Sequence, residues 1–465
     1  MKDASYVFVG GGLPSLLFAS LLTKLKPANP IIIIESSNRP GGQFKSIEYP
    51  NGAVFDQGMH IYYETEIQEI DEAFLEILPS RDWHYLTDNH KDIAGIFFNG
   101  KLQITTPYPD LRGYSLEKRE GFIHSLFQNL ENSIPTSYSN MSELLHYHFG
   151  LRVTEEVFEP ILRKLYSLNA KELDPLAFRL TAMNRIVLFN EQATEDLMKS
   201  EYLRARIAFP DQLKLPISRK SRSRGLYPKK FGFGKIIDTL VQSLEKSGVV
   251  FLLNTRIKDV VLDNFKIKYL TCDDQMKSQI EVHNGVIWAA DVFGLLKSIG
   301  QPVESKIQFG LKRYINILLD KDPKMGGLYY FYNFDEISGI FRVTNYSSYC
   351  ADAIKNGTFP ICVEYWMPKE ANEEEIVTEV SNDLIEMGII GSEAEILFAE
   401  VSPQPILFPN PSVEALTSIR NAVAIVDEKK IKNLILVGPL TSKDTFFLHE
   451  VLKIGFKKIK EKGWL

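Results

Sequence analysis

A chain of 465 residues is too long for one hydrophobic core, so two domains, or three at most, are expected. Apolar residues make up 45% and charged residues 24%, an ordinary globular composition, and a net charge of −6 excludes a general nucleic-acid binder. The three cysteines, Cys272, Cys350 and Cys362, fall in no CxxC spacing, which argues against a disulfide framework or zinc site and for thiols in a reducing compartment. No apolar run approaches the roughly 18 residues of a membrane span, and Met1 to Gly12 lacks the order of a signal peptide, so a cytoplasmic enzyme is expected.

The first element is a short apolar strand, Tyr6 to Val9, which runs into Gly10, Gly11 and Gly12. Glycines there allow a tight turn and a close backbone approach to a ligand. Leu13 to Leu25 reads as a helix, with Pro14 in its first turn, where the missing N–H does no harm. The pattern Gly10-x-Gly12-x-x-Ser15 approximates the dinucleotide fingerprint, with small Ser15 in place of the third glycine. A pyrophosphate suits such a helix N-terminus, because its peptide N–H groups are unspent and carry a partial positive charge. Ile31 to Ile34 is a β-branched run suited to a strand buried on both faces. It ends in Glu35, 23 residues after Gly12, close to the ~20-residue spacing of a ribose-binding carboxylate.

Arg39-Pro40-Gly41-Gly42 follows, completing Glu-x-x-x-Arg-x-Gly-Gly. This stretch resembles the FAD signature of the family that holds amine oxidases, protoporphyrinogen oxidase, phytoene desaturases and UDP-galactopyranose mutase. The resemblance implies FAD as the cofactor and an α/β fold: a Rossmann-type FAD-binding domain with a mixed α+β substrate domain that includes a helical insertion. It implies flavin contacts at Gly10, Gly12, Leu13, Pro14, Ser15, Glu35, Ser36, Arg39, Gly41, Gly42 and Gln43. Arg39 would lie near the pyrophosphate. A nicotinamide dinucleotide could use the same first turn, but Arg-x-Gly-Gly after the glutamate argues for FAD as the held cofactor.

Val54 to Tyr63 reads as a strand and turn, followed by a helix from about Glu66 to Leu78. Within it, "FDQGMHIYY" resembles the mutase segment whose glycine-histidine turn faces the flavin ring, which points to Gly58, Met59 and His60. Gly95 to Thr105 reads as a hairpin turning at Asn99-Gly100. Residues 115 to 208 read as mostly helical, with breaks near Pro135 and Gly150. Within them Arg185 falls loosely on a second diphosphate arginine of the mutases, and a helix-surface role fits it as well. His146 and His148 read as surface histidines without a third metal ligand. Ser218 to Gly225 is a basic, Ser-rich linker or an anion-collecting rim, and an amphipathic helix then runs to Lys246.

Two strands follow in "VVFLLNTRIKDVVL", where the resemblance places Val260 or Val261 against the adenine, and Gly285 to Val292 reads as the next strand. Residues 306 to 367 read as antiparallel strands. Arg342, in "GIFRVTNYSSYC", falls on a mutase arginine that sits between flavin and diphosphate. Tyr62, Tyr63, Tyr108 and Tyr346 are pocket candidates, although aromatic residues at strand spacing are more often core. Asn433 to Val437 reads as a strand, Gly438 as a flavin-side turn, and a helix is expected from about Asp444, with Phe447 beside the flavin. The expected domains are a discontinuous FAD-binding domain (1–75, 225–305 and 405–465) and a substrate domain made of a helical insertion (76–224) and an antiparallel sheet (306–404).

The resemblance implies His60, Arg342 and Arg185 as catalytic residues, a small-molecule substrate such as a nucleotide-linked sugar, and NAD(P)H as a candidate reductant. In the mutases the flavin does the covalent work, and arginines hold the leaving diphosphate. One departure stands out. Mutases carry Gly-Arg-x-Gly after the last strand, and here the text is Gly438-Pro439-Leu440-Thr441, without the arginine. Three readings stay open: a mutase-like enzyme, an FAD oxidase or dehydrogenase of the protoporphyrinogen or amine oxidase type, and a non-catalytic flavin-binding relative.

Overall fold

A computed structural model of the chain describes residues 2–130, 135–181, 183–216, 219–220, 222–273, 279–308, 312–336, 338–367, 371–405, 410–442 and 445–465. In chain order the strands that frame the sites are β1 (Lys2–Val9), β2 (Ile31–Ile34), β3 (Ala94–Phe98), β4 (Lys101–Gln103), β5 (Val250–Leu252), β6 (Ile257–Asp263) and β7 (Lys266–Cys272). They continue as β8 (Gln279–Trp288), β9 (Lys312–Leu319), β10 (Tyr330–Asn333), β11 (Ile340–Asn345), β12 (Phe359–Trp366), β13 (Ile396–Pro405) and β14 (Leu434–Leu436). The helices are α1 (Leu13–Leu25), α2 (Gln68–Leu75), α3 (Leu116–Phe127), α4 (Met141–Val153), α5 (Glu159–Tyr166), α6 (Gly234–Lys246), α7 (Glu373–Glu386) and α8 (Leu448–Glu461). The chain divides into two compact units: Met1–Tyr85, Ser223–Lys306 and Thr417–Leu465 form the first, and Leu86–Arg222 and Ile307–Leu416 the second.

The first unit is built on a seven-stranded sheet in which β5, β2, β1, β8 and β14 run parallel. Strand β8 serves two neighbours on one edge. Its first half pairs with antiparallel β7, and its second half, Val286 to Trp288, pairs with β14. All four isoleucines of β2 are buried, as a strand covered on both faces requires. This is the Rossmann-type arrangement that the glycine turn implied. Among the described residues, no helix is long and apolar enough to cross a membrane.

The second unit holds the other seven-stranded sheet, in the order β13, β9, β12, β11, β10, β3, β4. Its pairs are antiparallel except β10 with β3. One face is apolar: Ile315, Ile317, Val343, Ile361 and Val363 pack with Ile376, Val380 and Leu384 of α7. Helices α3 to α5 form the insertion, with Phe122, Phe149, Phe158 and Leu162 in its core. Gly150, at φ +79°, breaks α4 where the sequence placed a break. Asn99 and Gly100 both have positive φ, the requirement of the two-residue hairpin turn that joins β3 and β4.

Three expectations shift. Helix α2 is shorter at both ends than the sequence suggested. The last helix starts at Leu448, and the expected start, Asp444, lies outside the described residues. Phe447 caps that helix, and Glu450 accepts hydrogen bonds from the backbone N–H groups of Phe446 and Phe447, which fixes the start there. His148 is half-buried rather than an open surface histidine: its ring lies against Phe149 and Phe178 and its Nε2 meets the Ala205 carbonyl at 2.9 Å. Burial, aided by the charge of Arg206, pushes its pKa down to about 4. All three cysteines are buried thiols.

Candidate functional site

The carboxyl ends of parallel strands β2, β1, β8 and β14 align, with Ile34, Val9, Trp288 and Leu436 in register. Open α/β sheets bind ligands at that edge. Gly10 turns the chain out of β1 at φ +99°, and a Cβ on it would lie 2.9 Å from the Ala289 carbonyl oxygen, so only glycine fits. Gly12 caps α1 without any side-chain bond, and Leu13 and Pro14 open the helix. Ser15, fully buried, has a hydroxyl with no hydrogen-bond partner among the described residues.

Glu35 is held across this turn. Its Oε2 accepts from the Gly11 N–H at 2.8 Å, and its Oε1 accepts from the Ser37 N–H at 2.8 Å. Ser36 is exposed beside it. The Gly41 N–H donates to the Gly11 carbonyl at 2.8 Å, so the second glycine pair lies against the first. Gly41 has φ +116°, and a Cβ there would meet Ile237 of α6 at 2.8 Å. Gly42 and Gln43 open a short exposed 3-10 turn that ends in Phe44. Arg39 does not point bare into this space. Its Nη2 bonds both carboxylate oxygens of Asp238 at 2.8 Å, with both side chains about half exposed.

The turn of Gly58, Met59 and His60 joins the same neighbourhood. The His60 ring packs on Phe44 at 4.8 Å and on Phe233 at 6.2 Å. The buried Asp56 anchors the turn by accepting from Ser46 Oγ (2.5 Å), Tyr227 OH (2.6 Å) and the Phe233 N–H (2.9 Å). Burial raises the Asp56 pKa, and those three donors work against the rise. Lys45, whose pKa burial lowers against the pull of Glu35, bonds Ser37 Oγ at 3.3 Å and the Arg39 carbonyl at 3.2 Å. Gly438 follows β14 at the same strand edge with φ +149°. Phe447 is exposed and stacks on His449.

Val260 is not brought to Glu35. It sits on β6, at the far end of the sheet path from β2. The segment beside Glu35 is the end of β5 and the turn after it. The Glu35 N–H donates to the Leu252 carbonyl, and the Thr255 N–H donates to the Glu35 carbonyl. Tyr62 is core, stacked on Phe74 at 3.6 Å with its hydroxyl on Asp71.

The apolar face of the second sheet has a polar counterpart. Tyr314, Glu364, Arg342 and Tyr332 stand opposite one another in a row across β9, β12, β11 and β10. Arg342 donates from Nε to Glu364 Oε1 at 2.6 Å and from Nη1 to Tyr332 OH at 3.4 Å, and its Nη2 also pairs with Glu364. Burial opposes the Arg342 charge, but the attraction of Glu364, Tyr332 and Tyr314 together with the hydrogen bond to Glu364 outweighs it, so the guanidinium pKa rises. A bulge between Ile340 and Arg342 turns Phe341 toward Lys312. Thr344, Gln103 and Trp366 carry buried polar atoms without partners among the described residues. Arg185, in the same unit, bonds instead to the Arg204 carbonyl and the Tyr108 hydroxyl. Asp56, Lys45, Lys312 and Glu364 were not foreseen as site residues. The signal for the last two was a lone charge inside an apolar strand, as in "ICVEYW".

Among the described residues no cluster of His, Cys, Asp and Glu could hold a metal ion. Residues 9–76 match the NAD(P)-binding Rossmann-like domain family. A coproporphyrinogen III oxidase of Staphylococcus aureus is 25% identical over 312 residues, a match that spans 61% of this chain and 59% of that protein. The structure of a reduced UDP-galactopyranose mutase superposes with a TM-score of 0.76 at 14% identity, covering 98% of this chain and 95% of the mutase. A putative protoporphyrinogen oxidase of Exiguobacterium sp. 255-15 gives a TM-score of 0.66 at 15% identity, covering 99% and 98% of the two chains. A putrescine oxidase gives 0.62 at 11% identity, covering 99% of each. By its fold, the chain carries a Rossmann-like dinucleotide-binding domain and is similar in structure to this mutase and these oxidases.

Proposed function

We propose that this chain is an FAD-dependent enzyme that acts on a small molecule carrying an anionic group. One observation carries the reading: the Gly10–Gly12 turn, Glu35 and the Gly41–Gly42 pair form one bonded cradle at the carboxyl edge of the parallel strands. The residues fit the cofactor. The unencumbered first turn of α1 and the Ser15 hydroxyl suit a pyrophosphate, and Glu35, oriented by two backbone donors, has lone pairs left for ribose hydroxyls. When bound, the flavin supplies the reactive ring. Asp56 fixes the turn that presents His60, and Arg39 exchanges Asp238 for phosphate at little electrostatic loss, because both partners are half exposed.

A nucleotide-linked sugar is the first substrate class, by likeness to the mutase over almost the whole chain. A second reading, an oxidase acting on a carboxylate-bearing porphyrinogen, is favoured by two observations. Glu364 already neutralises Arg342, the arginine that a diphosphate would need, and the curated relative is a coproporphyrinogen III oxidase. The test is direct. Purified protein is expected to be yellow, to bind FAD in preference to NAD, and to lose at least tenfold in FAD affinity on Glu35→Gln. Folded protein that is colourless and takes up no FAD overturns the reading. UDP-galactopyranose and coproporphyrinogen III, assayed with oxidised and reduced protein, separate the two substrate classes.

A further inference from the structure

Lys312 is a buried lysine that the proposed chemistry does not use. Only 6% of it is exposed. It stands opposite Trp366 across the β9–β12 pair, on the polar face of the sheet. Its Nζ lies 3.6 Å from the centre of the Phe341 ring, 4.7 Å from Trp366 and 5.9 Å from Tyr166. The carboxylate whose field reaches it, Glu364, is bonded to Arg342. Aromatic faces steady an ammonium but accept its hydrogen bonds poorly. The indole Nε1–H of Trp366 has no acceptor either, among the described residues. Buried donors in native proteins nearly always find acceptors. Two donors therefore lie on neighbouring side chains where the protein supplies rings instead of oxygens.

We infer that Lys312 and Trp366 form a binding site for an oxyanion of the substrate, a phosphate or carboxylate oxygen, and that Lys312 takes up a proton as the anion arrives. Charge balance favours this assignment. With Lys312 protonated, the Lys312–Arg342–Glu364 group carries one net positive charge, which a single anionic group cancels. The titratable groups that act on or lie against the amine are Glu364 on β12, Arg342 on β11 and Tyr166 on α5, while Tyr314 and Tyr332 stand with Glu364 and Arg342 in the polar row beyond. Burial holds the Lys312 amine down at about 7; Glu364 opposes the fall and Arg342 adds to it. An arriving anion reverses the balance and draws the proton from solvent. That the anion belongs to the substrate rests on the proposed function; that an anion binds here does not.

The test is calorimetric titration of the protein as purified, with UDP as the diphosphate probe and coproporphyrin III as the carboxylate probe. At pH 7.5, in buffers of different ionisation heat, binding of the matching probe is expected to take up between one half and one proton. Its Kd is expected to rise about tenfold from pH 6 to pH 8.5. Lys312→Met is expected to weaken binding at least tenfold at pH 6 and to flatten the pH profile, while Lys312→Arg keeps binding at pH 8.5. Zero proton uptake, unchanged binding by Lys312→Met, or no binding of either probe overturns the site. Flavin content is read separately from absorbance. Colourless protein that still shows Lys312-dependent binding sinks the flavin reading alone, and yellow protein indifferent to Lys312→Met sinks the anion site alone.

Discussion

The two seven-stranded sheets place their polar groups in different positions. In the parallel sheet the polar atoms gather at the strand ends, where the backbone of Gly10 to Gly12 and Gly41 does much of the bonding and the Glu35 carboxylate is drawn in to meet it. In the second sheet a row of polar side chains crosses the middle of one face, from Tyr314 through Glu364 and Arg342 to Tyr332. A site made from backbone tolerates changes of charge nearby but not an added atom. A site made from buried side chains tolerates added atoms at its rim but not an unmatched charge. Each substitution below tests one side of that contrast.

The largest effect is expected in the side-chain site. Arg342→Ala leaves Glu364, 5% exposed as a residue, without its cation. Breaking a buried pair from one side costs about 3–5 kcal/mol. A double change, Arg342→Met with Glu364→Gln, is expected to recover most of that loss, because no bare charge remains. Thermal melts of all three proteins check it, and a double variant as unstable as Arg342→Ala would show that packing, not charge, sets the loss. In the backbone site, Gly10→Ala forces a Cβ to within 2.9 Å of the Ala289 carbonyl oxygen at φ +99°. The strain of such a backbone is about 1–3 kcal/mol before any clash. FAD is expected to be lost while the helical insertion keeps its helicity, a pattern that FAD titration and far-ultraviolet dichroism separate.

The contrast also explains what the sequence made legible. The glycine turn, Glu35 and Gly41–Gly42 lie within 33 residues, and their spacing is dictated by local geometry, so the text alone reveals them. The hairpin at Asn99-Gly100 was legible for the same reason. The polar row was not, because its members come from four strands whose pairing is decided by register. A one-residue slip would put Lys312 and Glu364 on the face that α7 covers. The bulge that turns Phe341 toward Lys312 leaves no mark in the text either. Val260 is a related case: its strand is legible, but the register that puts Leu252 and Thr255 beside Glu35 depends on β5 pairing with β2, which the text does not show.

Lys312→Met is expected to act on stability with a pH signature. The Lys312 pKa is about 7 in the folded chain and near 10.5 in an unfolded one. Between those values the unfolded state binds more protons, so wild-type stability gains from this group as pH rises, by at most about 1.4 kcal/mol per pH unit. Below pH 7 the full penalty of a buried ammonium remains. The variant is therefore expected to melt higher than wild type at pH 6, with the difference shrinking toward pH 10. A difference that stays constant with pH would mean that the amine does not titrate in this range and that only packing has changed.

Arg39 sharpens the contrast most finely, because it is an exposed side chain set in a site bonded largely through backbone. Its partner Asp238 lies on α6, and the two side chains are 42% and 47% exposed. An exposed pair of this kind contributes at most about 1 kcal/mol, so Arg39→Ala is expected to leave the melting temperature of flavin-free protein almost unchanged. Any role in holding the cofactor must then appear in the holoprotein alone. If the guanidinium leaves Asp238 for the pyrophosphate, FAD release from Arg39→Ala is faster than from wild type at low salt, and the gap narrows as ions screen the contact. Release rates that match at every salt concentration would confine Arg39 to its bond with α6, and the cradle would then hold its phosphates with peptide nitrogens and Ser15 alone.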